Sequence, residues 1–215
     1  MPASCGVRFS AYPAAVLVSL AAFTAAAVVI VLLPGPDTLV VVRSIVRGGR
    51  HQGVLTALGN LCGLGIWVLA AALGLAAMLK ASEIGYDALR VVGAGYLVWL
   101  GVQAWRSRGR VELPSRGGVL GTGFRAGILT NLLNPKVGVF FVAFLPGFIP
   151  KGDPVGLVSL LLGGIFVALT AIYWVALLGV AGQVSRWMAT PAVRRRIDAV
   201  TALVFVGFGL RLATE

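Results

Sequence analysis

The sequence predicts an all-α membrane protein of six transmembrane helices, arranged as two inverted three-helix repeats with helices 1 and 4 broken near the bilayer midplane. Three observations predict it. Of 215 residues, 59% are apolar and 12% charged, and the mean hydropathy of +0.96 lies outside the ordinary range of soluble globular domains. Apolar segments recur six times, each near the ~20 residues that cross a ~30 Å hydrocarbon core as helix. Two of them carry helix breakers at their centres, in LLPGPDTLVVV (residues 32–42) and NLLNPKV (residues 131–137).

The first segment runs from about Ala14 to Val42 and is interrupted at Pro34-Gly35-Pro36-Asp37. It is longer than the apolar part of a secretory signal and lacks a strong basic start, so it is expected to stay on the chain. The second, from about Gly53 to Leu79, contains Asn60 and a GxxxG pair, Gly59 and Gly63; the third spans Asp87 to Trp105. The fourth, about Gly121 to Ile149, is broken at Asn134-Pro135, and the fifth and sixth run from Val155 to Gly182 and from Ile197 to Ala213. A single transporter domain over residues 1–215 accommodates them, with repeat halves at about 14–105 and 119–214. YLVWLGVQA from Tyr96 aligns with VFVGFGLRL from Val204, Gly101 over Gly209. Three spans per half force the halves into opposite orientations. Gly59, Gly63, Gly93, Gly95, Gly163, Gly164, Gly179 and Gly182 supply small faces for close helix approach, and such a face also suits a homodimer. Cys5 and Cys62 are too far apart for a CxxC redox pair.

The formal charge of +11 would suggest nucleic acid in a soluble protein, but its distribution points to lipid. Arg43, Arg47 and Arg50 follow the first span, Arg106, Arg108, Arg110, Arg116 and Arg125 the third, and Arg186, Arg194, Arg195 and Arg196 the fifth. In the alternate connections Lys80 and Arg90 face Glu83 and Asp87, and Lys151 faces Asp153. The positive-inside rule makes the Arg-rich loops cytoplasmic and puts both termini outside. No aromatic interleaving or basic domain supports nucleic-acid binding.

Proline inside a helix removes a hydrogen bond and clashes with the preceding turn, so Pro34, Pro36 and Pro135 each predict unwinding. Unwound backbone at membrane depth survives only against protein or a water-filled cavity. Asp37 lies six residues before Arg43 and Asn134 nine after Arg125, or roughly 9 to 14 Å at ~1.5 Å per residue, which places both breaks near mid-bilayer. Midplane breaks in corresponding helices of inverted repeats point to a transporter's substrate site.

An ionised carboxylate in hydrocarbon costs several kcal/mol, which makes Asp37 the leading candidate for binding a substrate ammonium, a coupling proton, or each in turn. It also suits an N-cap for a half-helix starting at Thr38. Lys136 is the matching cation after the second break, where a helix N-terminus adds a positive dipole end. It can seat an anion or form an ion pair with Asp37. A molecule with both ammonium and carboxylate fits between them, helped by Thr38, Asn131 and Asn134. Asn60 suits a ligand contact or interhelical glue, and Tyr173 and Trp174 can close one side of a cavity.

The quoted motif, the second span opening GVLTALGNLCGLG, and GFRAGILTNLLNPKVGVFF in the fourth together resemble the lysine exporter (LysE/RhtB) family of amino-acid exporters over nearly the whole chain. The resemblance implies a bacterial inner-membrane secondary transporter, driven by the proton gradient, that expels amino acids or related metabolites. The family's first motif falls on Pro34, Gly35, Pro36 and Asp37 and its second on Asn134, Pro135 and Lys136. A basic substrate would want a second carboxylate in the spans, so a neutral or small polar amino acid such as threonine, homoserine or leucine is expected. The alternative is an exporter of metal cations or other small metabolites. One aspartate and no intramembrane histidine make a poor metal site, so no metal or other cofactor is expected. The sole histidine, His51, sits in a predicted loop beside Arg50, and no cluster of nucleophile and base suggests an enzyme. A reporter fused after Glu215 that works only in the cytoplasm is expected to be silent; activity there would overturn the predicted topology.

Overall fold

The computed structural model describes residues 12–81, 83–106, 121–150, 153–188 and 190–214. Cys5, Arg108, Arg110, Arg116 and Lys151 lie outside the described residues, as do the side chains of Lys80, Glu83, Asp87, Arg90, Arg186 and Arg194. The described chain is helical: α1 (Tyr12–Leu32), α2 (Pro36–Ala81), α3 (Glu83–Arg106), α4 (Phe124–Leu132), α5 (Pro135–Val139), α6 (Val155–Met188) and α7 (Pro191–Thr214). Between α5 and α6 the chain continues through a π-helical turn, Phe140–Phe144, and a 3-10 turn, Leu145–Phe148.

Both predicted interruptions are present. Leu33, Pro34 and Gly35 leave the helix, and Leu133 and Asn134 separate α4 from α5. The prolines do not sit inside a helix. Pro36 and Pro135 are the first residues of α2 and α5, where a missing N–H costs nothing and the fixed φ suits a helix start.

The 46-residue α2 is two helices joined at Gly48 and Gly49. Gly49 has φ 73°, a conformation glycine adopts without strain and other residues rarely do. The turn therefore splits α2 into a short arm, residues 36–47, that completes the first broken span, and a long arm from residue 50. Gly123, with φ 86°, precedes α4 and donates its N–H to Thr56 Oγ1 at 3.0 Å. Thr56 in turn meets Ser44 Oγ at 2.8 Å, so the two arms of α2 and the start of α4 share a buried polar contact.

By length and composition, Pro36–Gly74 and Val155–Val180 can cross a membrane, and Phe124–Leu132 with Pro135–Phe148, bent by 50°, counts as a third if it is one broken span. Val18–Leu32 is apolar but shorter, and α3 and α7 carry charges toward their ends. Length and composition thus support a multi-span helical protein while qualifying fewer segments than the six of the sequence reading.

Helices in lipid gain little from hydrophobic association and hold together by close packing. The long arm of α2 packs on α4 and α6, and α3 packs chiefly on α7. Gly59 lies against the backbone of Phe124 and Ile128, and Gly127 against that of Thr56 and Asn60. Gly163 meets Val68. By contrast, Gly95, Gly164 and Gly179 have open space where a Cβ would go, so the small-face expectation fails for these three. The α3–α7 contact is reciprocal. A Cβ on Gly101 would lie 2.7 Å from Val206 Cγ2 and 2.8 Å from Ala202 O; one on Gly209 would lie 2.7 Å from Val98 Cγ2 and 2.8 Å from Ala94 O. Contacts pass from Ala94 with Gly209 to Gly101 with Ala202, so the helices run antiparallel.

The largest core cluster is aromatic. Phe23, Phe140, Phe141, Phe144, Phe148 and Phe166 are all buried in it, with Phe140 and Phe166 ring centroids 4.6 Å apart. Within the π-helical turn Phe140, Phe141 and Phe144 are all buried, on the shared face that the i, i+1, i+4 spacing of a helix provides.

Gly127→Ala forces a Cβ into the α2 backbone and is expected to destabilise the purified protein by about 1–3 kcal/mol. Gly164→Ala is expected to be neutral or up to about 1 kcal/mol stabilising. Unfolding of both variants in detergent measures the difference.

Candidate functional site

The site is built where the two breaks meet. Residue 34 has no N–H to offer, so the carbonyl of Ile30, four residues earlier, loses its helical partner. Lys136 supplies one: its Nζ donates to Ile30 O at 3.0 Å and to Leu33 O at 2.8 Å. An ammonium at a helix C-terminus also faces the negative end of the helix dipole. The lysine after the second break thus closes the helix before the first.

The reverse link runs through Asp37. Its Oδ2 accepts from Asn134 Nδ2 at 2.8 Å and from Asn131 Nδ2 at 3.2 Å. Asn134 also caps α5, accepting from the Lys136 backbone N–H at 3.0 Å through Oδ1. Asp37 does not cap its own helix. That helix begins at Pro36, with Leu39 N donating to Gly35 O at 3.1 Å, and the carboxylate turns away to the second break. Lys136 Nζ bonds to the Ile30 and Leu33 carbonyls and not to Asp37, so the two charges share a site without a direct bond.

Asp37 and Lys136 line a cavity with Thr38, Asn60 and Asn131. Asn131 and Asn60 are fully buried and Thr38 nearly so. Thr38 Oγ1 and Tyr173 Oη are 3.2 Å apart, and Trp174 Nε1 donates to Asn60 Oδ1 at 3.1 Å, so α6 closes this wall with two polar contacts. Val31, Leu64, Val137 and Phe166 add an apolar lining. The space is about 30 Å³, enough for about two waters and less than an amino acid needs. Loading a larger molecule requires the walls to part.

Every predicted polar residue except Asn134 lines this cavity; Asn134 stands behind Asp37 and borders an outer apolar groove of about 500 Å³ with Trp67, Tyr96 and Leu133. Pro34 and Gly35 form the non-helical linker. The sequence reading missed Phe166 and Thr170. Both lie on the α6 stripe that carries Tyr173 and Trp174, and helical spacing back from Tyr173 is the signal that finds them.

Three buried polar atoms at the cavity have no hydrogen-bond partner: Asp37 Oδ1, Asn60 Nδ2 and Asn131 Oδ1. Asn131 Oδ1 rests against Gly63, where a Cβ would come within 2.8 Å. The other two are a carboxylate oxygen and an amide N–H pair, one acceptor and one donor side.

Asn134→Asp keeps the α5 cap but sets a second carboxylate against Asp37, and it is expected to destabilise. Asp37→Asn in the same chain restores one amide and one carboxylate. A double-mutant cycle on unfolding in detergent is expected to give a favourable coupling of about 0.5–3 kcal/mol; additive effects would break the proposed contact.

The LysE type translocator family model matches residues 28–215. An uncharacterized membrane protein of Bacillus subtilis is 28% identical over 206 residues, covering 90% of this chain and 97% of its own. One of Pseudomonas aeruginosa is 34% identical over 200 residues, covering 87% and 91%. The homoserine/homoserine lactone efflux protein of Salmonella typhimurium is 28% identical over 185 residues, covering 85% and 90%. No solved structure matches the chain. With both break motifs inside the matched region, the chain belongs to the LysE type translocator family, a family of multi-pass membrane transporters.

Proposed function

We propose that this protein is a secondary transporter that exports neutral or small polar amino acids, such as threonine, homoserine or leucine, from the bacterial cytoplasm across the inner membrane in exchange for protons. The observation that carries the reading is the unpartnered Oδ1 of Asp37, at a small cavity between two broken helices of a translocator-family chain. A relative named as a homoserine/homoserine lactone efflux protein supports a small amine-bearing substrate. The apolar wall of Leu64 and Phe166, with no second carboxylate among the cavity-lining residues, supports a substrate without a cationic side chain.

In this reading Asp37 binds the substrate ammonium in one phase of the cycle and a proton in the other. Asn131 and Asn134 orient the carboxylate, Thr38 and Asn60 contact the substrate, and Lys136 holds the end of α1 while adding positive potential to the cavity. Pro34, Gly35, Pro36 and Pro135 keep the backbone open there. The reciprocal α3–α7 contact around Gly101 and Gly209 supports two inverted halves of three spans, and the charge distribution alone supports cytoplasmic Arg-rich loops and outside termini. Cation-driven exchange needs alternate exposure of one site, which inverted halves supply by rocking.

Efflux from dipeptide-loaded cells tests the reading. Wild type is expected to release threonine, homoserine or leucine faster than vector, an uncoupler to abolish the difference, and Asp37→Asn to match vector. Lysine and arginine are expected to leave more slowly than these. Efflux equal to vector across the panel would move the substrate to another class of metabolite or ion, with metal sensitivity of a deletion strain as the next assay.

A further inference from the structure

Asn60 is held in one orientation. The Trp174 indole N–H can only donate, and it donates to Asn60 Oδ1 at 3.1 Å. The oxygen is therefore the end that faces α6, and the amide nitrogen is the end left over. That nitrogen is buried, in a side chain only 1% exposed, and makes no full hydrogen bond, although its side chain lies close enough to interact with the Asp37 carboxylate. An unsatisfied donor in a bilayer interior is costly and calls for an explanation.

The backbone of Asn60 is fixed as well. Gly127 of α4 packs against Thr56 O and Asn60 N with no room for a side chain between them. The amide thus projects from a clamped backbone into the cavity that also holds the unpartnered Asp37 Oδ1. One anionic acceptor and one neutral donor in the same small space complement a molecule with a cationic amine and an acceptor oxygen a short distance apart. Lys136 is a poorer match for that oxygen, because two of its three N–H donors are committed to Ile30 O and Leu33 O.

Building on the proposed amino-acid export, we propose that Asn60 Nδ2 reads the carboxyl oxygen of the substrate while Asp37 Oδ1 takes its ammonium, and that Trp174 is the positioning residue that points the amide. The rival account makes the Asn60–Trp174 bond interhelical glue alone. The two differ in what removing the amide does to substrate choice.

The test uses purified protein in proteoliposomes exchanging labelled threonine or leucine. The unlabelled competitors are the same amino acid and its carboxyl-free amine, isopropanolamine for threonine and isopentylamine for leucine. Wild type is expected to prefer the amino acid over the amine by about ten-fold or more, the scale of one hydrogen bond to a charged group. Asn60→Ala is expected to bring the ratio close to unity. Asn60→Asp, which sets a carboxylate against the substrate carboxylate, is expected to invert it. Trp174→Phe leaves Asn60 in place but frees it to turn, and is expected to lower the ratio to an intermediate value. A wild-type ratio in Asn60→Ala or Trp174→Phe, or equal loss of both ligands in folded variants, overturns the assignment and leaves the glue account. If wild type exchanges neither these amino acids nor homoserine, the proposed substrate class falls and this inference with it.

Discussion

The structure depends on one unmet hydrogen bond. Pro34 has no N–H, so the carbonyl of Ile30 cannot complete its helical pair, and in hydrocarbon such an orphan costs several kcal/mol. Lys136 answers it from the other broken helix. That answer fixes the register of α1 against α5 and brings the second break beside the first. Asn134 and Asn131 are then placed to hold Asp37. Each break is completed by a side chain from the other, and the cavity is the space between them.

The cavity has different closures above and below. Along the hairpin of α2, Val41 and Ala57 lie nearest the Gly48–Gly49 turn and form a small cluster with Trp174 and Leu177. Asp37 and Asn60 come next, and Ile30 with Leu64 begins the large aromatic cluster. The side toward the turn is therefore closed by a small cluster around Trp174 and two polar bonds to α6, the other by tilted and edge-on phenylalanines whose neighbouring centroids lie 4.6 to 5.7 Å apart. Interlocked rings pack as a block, because each ring loses its contacts if one neighbour shifts. The turn side opens with less disruption. It carries exposed Arg47 and Arg50 and meets the start of α4 at Gly123 beside Arg125. For the proposed export, that is the side from which substrate must load.

Much of this was legible in the sequence because the motifs violate their surroundings. PGPD and NPK stand out in apolar runs, and their chemistry says both that the helix stops and that the break faces protein. The Gly101 over Gly209 alignment suggested paired halves but not that the two helices touch, each glycine receiving the other helix's backbone. What the sequence hid was connectivity. Nothing local says that Lys136 bonds to α1 rather than to Asp37, since the answer depends on which carbonyl Pro34 strands in a helix a hundred residues away. The capping reading of Asp37 failed for the same reason: Pro36 already starts the helix, and the distant amides of Asn131 and Asn134 compete better for the carboxylate than the local backbone does. The π-helical turn at Phe140–Phe144 has no breaker residue to announce it. Small-face glycines meet a neighbour within this chain at Gly59 and Gly163 and meet none at Gly164, because absence of a side chain does not say what lies opposite.

Reciprocal bracing also constrains how the site can work. If α1 moved alone, Lys136 would lose the Ile30 and Leu33 carbonyls; if α4 and α5 moved alone, Asp37 would lose both asparagines. Either motion strands buried polar groups, so the two breaks are held as one unit and the lower-cost motions are those of the walls around it. α6 meets the site through two side-chain hydrogen bonds, Tyr173 with Thr38 and Trp174 with Asn60, and otherwise by apolar packing on α1 and α2 and of Phe166 on Phe140. The α3–α7 pair packs mainly on itself. For the proposed transport, a fixed centre of crossed breaks around which the flanking helices rearrange would expose one site to two sides in turn, and the constraint that produces the centre is the missing N–H of Pro34.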